Sequence, residues 1–225
     1  MMELRACIFI GILIHLMGPY VSKLTVMYQI KHRTKEYKLT RHITPQRSYD
    51  IITVFGGIMC CSIFLLDDNF FLIHSNNAYG VLLFSALGFF FPYVIWKGKN
   101  KSVVFVKRKV NKLDTLIFLP LCAVSEELIW RICIPFLFKL YFFDSVLLCT
   151  CISSIGFLLL HIPLGGVKSA PYMTVFTVIA VIAAQFDFLS AAAFHIVHNL
   201  TIQYFRPVSK KKINPSSPTM SQAEW

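Results

Sequence analysis

Three short patterns in the second half of the chain combine residue types that can hydrolyse an amide. The first is Glu126-Glu127 followed four residues later by Arg131, an E-E-x-x-x-R pattern. On a helix Glu127 and Arg131 are neighbours across one turn and can form an ion pair. Glu126 is then left beside a like charge, partly desolvated, as the candidate general base. The competing interpretation is an ion pair that only closes helix packing, with Ser125 capping the helix and both acids at its positive end. The second pattern is Phe157-x-x-x-His161, at the end of an apolar helix that Pro163 and Gly165-Gly166 should stop. The same spacing recurs at Phe70–His74 and Phe194–His198, so it carries little alone, and a histidine at a helix end is commonly an interfacial residue. The third is His195-x-x-x-Asn199, two hydrogen-bonding groups on one helical face. Such a pair could hold a developing oxyanion, or could be a polar seam that joins helices. His198 is a further ionisable residue in the same apolar run.

The surroundings of these residues make them conspicuous. The chain has 225 residues, is 56% hydrophobic and only 15% charged, with a mean hydropathy of +0.63. Soluble chains average roughly 45–50% apolar and about 25% charged. So little charge cannot cover so much apolar surface in water, and intrinsic disorder demands the opposite composition. A polytopic membrane protein remains, and ionisable groups inside its spans are functional candidates by default. Other signatures of membrane proteolysis are missing: there is no H-E-x-x-H and no G-x-S-x-G. Ser209–Lys212 fits S-x-x-K, but only within a basic tail.

Apolar runs at 5–22, 50–66, 78–96, 113–143, 145–161, 171–186 and 188–205 are expected to form an all-α bundle of about seven to eight transmembrane helices. The run 113–143 is too long for one ordinary span; Pro120 and Ser125-Glu126-Glu127 suggest either a kinked span or a short dipping helix that turns before Glu126. The first run is read as a retained span rather than a signal peptide, because no small-x-small cleavage site follows it. The net charge is +11, but the bases cluster between apolar runs: seven Lys/Arg in 22–48, seven in 97–112, and Arg206 with Lys210–Lys212 in the tail. These are positive-inside anchors, not a nucleic-acid surface. They put both basic loops and the tail in the cytosol, and the loops at Asp67, Asp144 and Asp187 opposite. Cys60, Cys61, Cys149 and Cys151 show no zinc spacing and are read as small buried hydrophobes with reduced thiols. The expected organisation is an N-terminal membrane region over 1–112, a core carrying the motifs over 113–205, and a disordered basic tail over 206–225.

Taken in order, Glu126-Glu127-x-x-x-Arg131, Phe157-x-x-x-His161 and His195-x-x-x-Asn199 resemble the three motifs of the CPBP or Abi family of intramembrane proteases. Its eukaryotic representative is the type II CaaX prenyl protease of the endoplasmic reticulum. The resemblance covers about residues 113–205; residues 1–112 share only a multi-span character. The chain departs from eukaryotic members after His161, where Ile162-Pro163-Leu164 stands in place of further histidines. The resemblance implies a glutamate-dependent endopeptidase in the endoplasmic reticulum membrane, its site facing the cytosol. Glu126, helped by His161, would activate water; Glu127 and Arg131 would shape the site; His195 and Asn199 would stabilise the oxyanion. The substrates would be prenylated CaaX proteins, which lose their last three residues, with membrane lipid as the other partner. Glu with two His could bind zinc, but a site without metal or other cofactor is favoured. The alternatives are an inactive scaffold or chaperone of the same fold, or a small-molecule transporter, though no internal repeat supports the latter.

Overall fold

A computed structural model describes residues 2–31, 44–66, 77–99, 101–105 and 114–209. Helix α1 spans Met2–Lys31, α2 Pro45–Cys60 and α3 Ala78–Gly98; α2 tightens into a 3-10 turn over Cys61–Leu65. A continuous helical run then passes through a π-turn at Asp114–Phe118, α4 at Leu119–Glu127, a second π segment at Leu128–Cys133, and α5 at Ile134–Tyr141. Helices α6 (Val146–Gly165), α7 (Ala170–Phe186) and α8 (Phe188–Tyr204) complete the bundle. Within the described residues, each expected apolar run therefore falls largely on helix. Four helical stretches, Met2–Gln29, Pro45–Leu65, Ala78–Gly98 and Val167–Phe186, are long and apolar enough to cross a membrane, and Val146–Ile162 is a shorter apolar one. Exposed Leu82, Phe90 and Val94 on α3, and Leu147, Ile155 and Leu159 on α6, give these helices apolar outer faces. In water such faces would be an aggregation hazard; against hydrocarbon they cost nothing. The chain is a multi-pass, all-α membrane protein.

Capping residues mark where the helices begin. Thr44 Oγ1 accepts from Arg47 N at 3.0 Å, with Pro45 in the first turn of α2. Ser145 caps α6, and Asp187 caps α8 by accepting from Ser190 N at 2.6 Å and from Ser190 Oγ at 2.7 Å. Gly166 ends α6 at φ 71°, a left-handed conformation in which a side chain would be strained.

The bundle is built on pairs: α1 lies along α2, α3 along α8, α2 and α8 flank α4, and α6 packs on α5 and α7. The hydrophobic core runs through Ile8, Ile63, Phe84, Ile129, Phe157, Phe176 and Phe194. The chain after α3 pairs with the chain after α8. Strand β1 (Lys101–Phe105) runs antiparallel to β2 (Phe205–Ser209), with Lys101 opposite Ser209 and Phe105 opposite Phe205. This ribbon puts the ends of α3 and α8 on one side of the bundle.

Several expectations change. From Asp114 the run does not turn before Glu126 but continues as helix, with Pro120 directly after the π-turn at Asp114–Phe118. Ser125 is not a cap but a buried residue inside α4. Helix α6 passes Pro163 and ends at Gly165. Cys61 and Cys151 are exposed, whereas Cys60, Cys122, Cys133 and Cys149 are buried, and none of the seven is in a disulfide. Residues 206–209, placed in a disordered tail by composition, lie in β2, because a strand partner far away in sequence satisfies their backbone. The Phe70–His74 spacing and the Asp67 loop lie outside the described residues.

A close backbone contact joins Gly11 of α1 to Gly56 of α2. A Cβ on either would come within 2.6 Å of the other's carbonyl oxygen, and backbone cannot yield as a side chain can. Gly11→Val or Gly56→Val should therefore cost about 1–3 kcal/mol of stability. Thermal unfolding in detergent should show a lower midpoint for both, while Gly98→Ala, which meets nothing within 4 Å, should unfold like the parent.

Candidate active site

Glu126 and Glu127 end α4, buried at 4% and 1% exposure. A carboxylate at that depth is tolerated only when donors reach its oxygens. Glu127 has two. Arg131 Nε donates to Oε2 at 3.2 Å, the ion pair expected from the spacing, and His195 Nδ1 meets Oε1 at 2.7 Å. The other ring nitrogen of His195, Nε2, lies 3.3 Å from Glu126 Oε2. One imidazole thus bridges both glutamates across α4 and α8. With both carboxylates ionised the ring must donate from both nitrogens.

Arg131 has capacity to spare. Its Nη1 and Nη2 are buried without a hydrogen-bond partner, and its guanidinium lies over the Phe157 ring, 4.9 Å from the centroid. Phe157 also packs on His161, with ring centroids 4.3 Å apart. His161 Nδ1 donates to the Phe157 carbonyl at 2.8 Å. In the neutral ring this leaves Nε2 as the acceptor, the form a proton-accepting histidine needs. Glu126, His195 and Arg131 all lie within electrostatic reach of His161. The π segment after Glu127 serves the same cluster. It frees the Trp130 carbonyl from the regular ladder, and Ser153 Oγ on α6 donates to it, drawing α6 and its His161 towards α4.

Asn199 does not touch the glutamates. His198 Nδ1 donates to its Oδ1 at 3.2 Å, and Tyr172 OH of α7 donates to His198 Nε2 at 2.5 Å. That chain grips Asn199 by its carbonyl oxygen and leaves the amide NH2 as the end able to donate. The structure so brings Glu126, Glu127, Arg131 and His195 into one bonded cluster, sets His161 beside it on α6, and keeps Asn199 a turn further along α8.

Sequence spacing missed the contribution of the first two helices. Tyr49 of α2 donates to Glu126 Oε1 at 2.5 Å. His15 of α1 accepts from Trp130 Nε1 at 2.8 Å, so its Nδ1 carries the proton and donates to Thr53 Oγ1 at 3.1 Å. His15 sits in an apolar run and was detectable as an ionisable residue in a span; Tyr49 offered no such signal. Among the described residues, no group of three or more His, Cys, Asp or Glu side chains is arranged to hold a metal ion.

A polytopic helical membrane protein whose buried carboxylates meet a histidine and an arginine is the class this arrangement defines. Residues 109–201, which include all three motifs, match the family model of the type II CAAX prenyl endopeptidases, Rce1-like. That family is one of proteases. No curated protein matches the chain, and no solved structure does.

The division between the glutamates can be tested by folded yield. Glu127→Ala strands a buried Arg131, a loss of about 3–5 kcal/mol for a broken buried pair. Its monodisperse yield in detergent should drop, and Glu127→Ala with Arg131→Ala should recover part of it. Glu126→Ala should keep a near-normal yield. Equal yields for the two single variants would show that Glu127 is not the structural partner.

Proposed function

We propose that this protein is an intramembrane endopeptidase that removes the C-terminal tripeptide from prenylated CaaX proteins. The observation that carries this reading is the meeting of Glu126, Glu127, Arg131 and His195 inside the Rce1-like match. Glu126 takes a proton from water, with the unspent Nε2 of His161 assisting, and the resulting hydroxide attacks the scissile carbonyl. The carbonyl oxygen becomes an oxyanion. His195 is placed to meet it by giving up its longer contact, the one to Glu126, and Asn199 by its amide NH2. Glu127 and Arg131 hold His195 and shape the floor. The proton on Glu126 then passes to the departing amine as the carbon–nitrogen bond breaks, which restores the carboxylate.

The same reading gives an orientation. The loops 22–48 and 97–112 hold fourteen of the 22 basic residues and face the cytosol. The N-terminal end of α2 and the C-terminal ends of α6 and α8 lie on that side, so Tyr49, His161 and Asn199 are the site residues nearest to it. A peptide anchored in the cytosolic leaflet by a prenyl chain approaches from there. The membrane we assign is that of the endoplasmic reticulum.

Purified protein should cleave a farnesylated CaaX peptide between the modified cysteine and the next residue. Glu126→Ala, His161→Ala and His195→Ala should each lower the rate at least about 100-fold, the scale of a lost base or oxyanion donor. Full turnover by Glu126→Ala would rule out the glutamate as base. A folded wild-type protein that leaves the peptide intact would count for the scaffold reading instead.

A further inference from the structure

We infer that Tyr49, which lies outside the Rce1-like match, is a positioning residue for Glu126, so that the active site is completed from α2. The inference rests on the proposed role of Glu126 as base. A glutamate side chain has several torsions, and its terminal carboxylate rotates in a broad, nearly two-fold well. A base that must present one oxygen to water in a fixed direction needs its plane set by something else. Tyr49 does this: its hydroxyl donates to Oε1 at 2.5 Å, in the range of short, charge-assisted O–H···O⁻ bonds, while Oε2 faces His195. With Oε1 occupied, Oε2 is the oxygen turned to the imidazole and the reacting groups.

The aim of the phenol is itself fixed by residues from three elements. The Tyr49 ring is 5% exposed and lies against Gly18 of α1, where a Cβ would come within 3.0 Å of Cδ2 and 3.1 Å of Cε2. The ring also stands edge-on to His15, with centroids 6.2 Å apart and planes at 64°. His15 is pinned in turn by Thr53 of α2 and by Trp130, four residues beyond Glu126. The glycine gives the ring room, and the histidine couples it to the helical run that carries the base. Tyr49 touches no reacting atom in this scheme and acts only through Glu126.

The test compares Tyr49→Phe and Gly18→Ala with wild type, on a farnesylated CaaX peptide, with rates normalised to folded protein. Tyr49→Phe keeps the ring and removes only the hydroxyl, so its thermal midpoint should stay near that of wild type. Its kcat should fall about 10- to 100-fold with KM within about twofold, as a misplaced catalytic group would give. Gly18→Ala keeps the hydroxyl but presses on the ring edge, and should give a smaller fall in kcat, again without a change in KM. A Tyr49→Phe kcat within twofold of wild type would overturn the assignment. So would a loss confined to KM, which would make Tyr49 a substrate contact, or one that vanishes on normalising to folded protein, which would make it a packing residue. An inactive wild-type protein would overturn the proposed function itself, and this assignment with it.

Discussion

A carboxylate that water cannot reach must be met by donors, and Glu127 is the residue on which that requirement falls hardest. It is nearly inaccessible, and its two oxygens are met from opposite directions, by Arg131 one turn along its own helical run and by His195 on α8. The second contact cannot form unless α8 lies beside α4. The aromatic rings of Phe157, Phe176 and Phe194 fill the space around that crossing. Removing Glu127 would leave His195 Nδ1 unanswered and Arg131 with no counter-charge. The arrangement of α4, α6 and α8 can thus be understood as the packing that satisfies one buried anion.

Polar groups elsewhere follow the same logic on a smaller scale. Glu126 and Glu127 of α4 and His195 of α8 are turned to each other, while α3 and α6 turn Leu, Phe and Val outward. Where the regular helical ladder lapses, over Leu128–Cys133, the carbonyl released at Trp130 finds a hydroxyl on α6. Among the described residues, the histidines outside the glutamate cluster are likewise hydrogen-bonded: His15 between Thr53 and Trp130, His198 between Tyr172 and Asn199, and His161 to the Phe157 carbonyl. Two polar chains result, one joining α1 and α2 to Trp130 and one joining α7 to α8.

Local periodicity is why part of this could be read from the sequence and part could not. The Glu127–Arg131 contact spans one helical turn, so spacing alone revealed it, and the helical segments followed from runs of apolar residues. His195 was singled out as an ionisable group in a span, but the expectation paired it with Asn199, its neighbour along one face. In the folded chain it also reaches 68 residues back to Glu127. Tyr49 lies 77 residues from Glu126, and His15 115 from Trp130. No window of sequence contains such pairs, and a tyrosine near the start of an apolar helix resembles an interfacial anchor. The tail was misjudged at 206–209 for the same reason: composition reports that a segment is polar, not that a strand awaits it at Lys101–Phe105. The Rce1-like match stops short of the first three helices, so similarity too is silent about Tyr49.

The position of α8 has a consequence for how the protein is made. Chains enter the membrane from the N-terminus as they are synthesised, and early segments settle first. Glu126, Glu127 and Arg131 are therefore in the bilayer, already paired where they can be, before the ribosome has produced His195 or the β2 strand that ties down the end of α8. Until that helix arrives, the imidazole that bridges the two glutamates does not exist. A nascent chain holds the acids but not the histidine that bridges them, and the cluster is completed in a single late step when α8 docks beside α3 and α4. The order of the motifs along the gene thus acts as a timer that keeps the buried polar cluster incomplete while the rest of the bundle is still being threaded into the membrane.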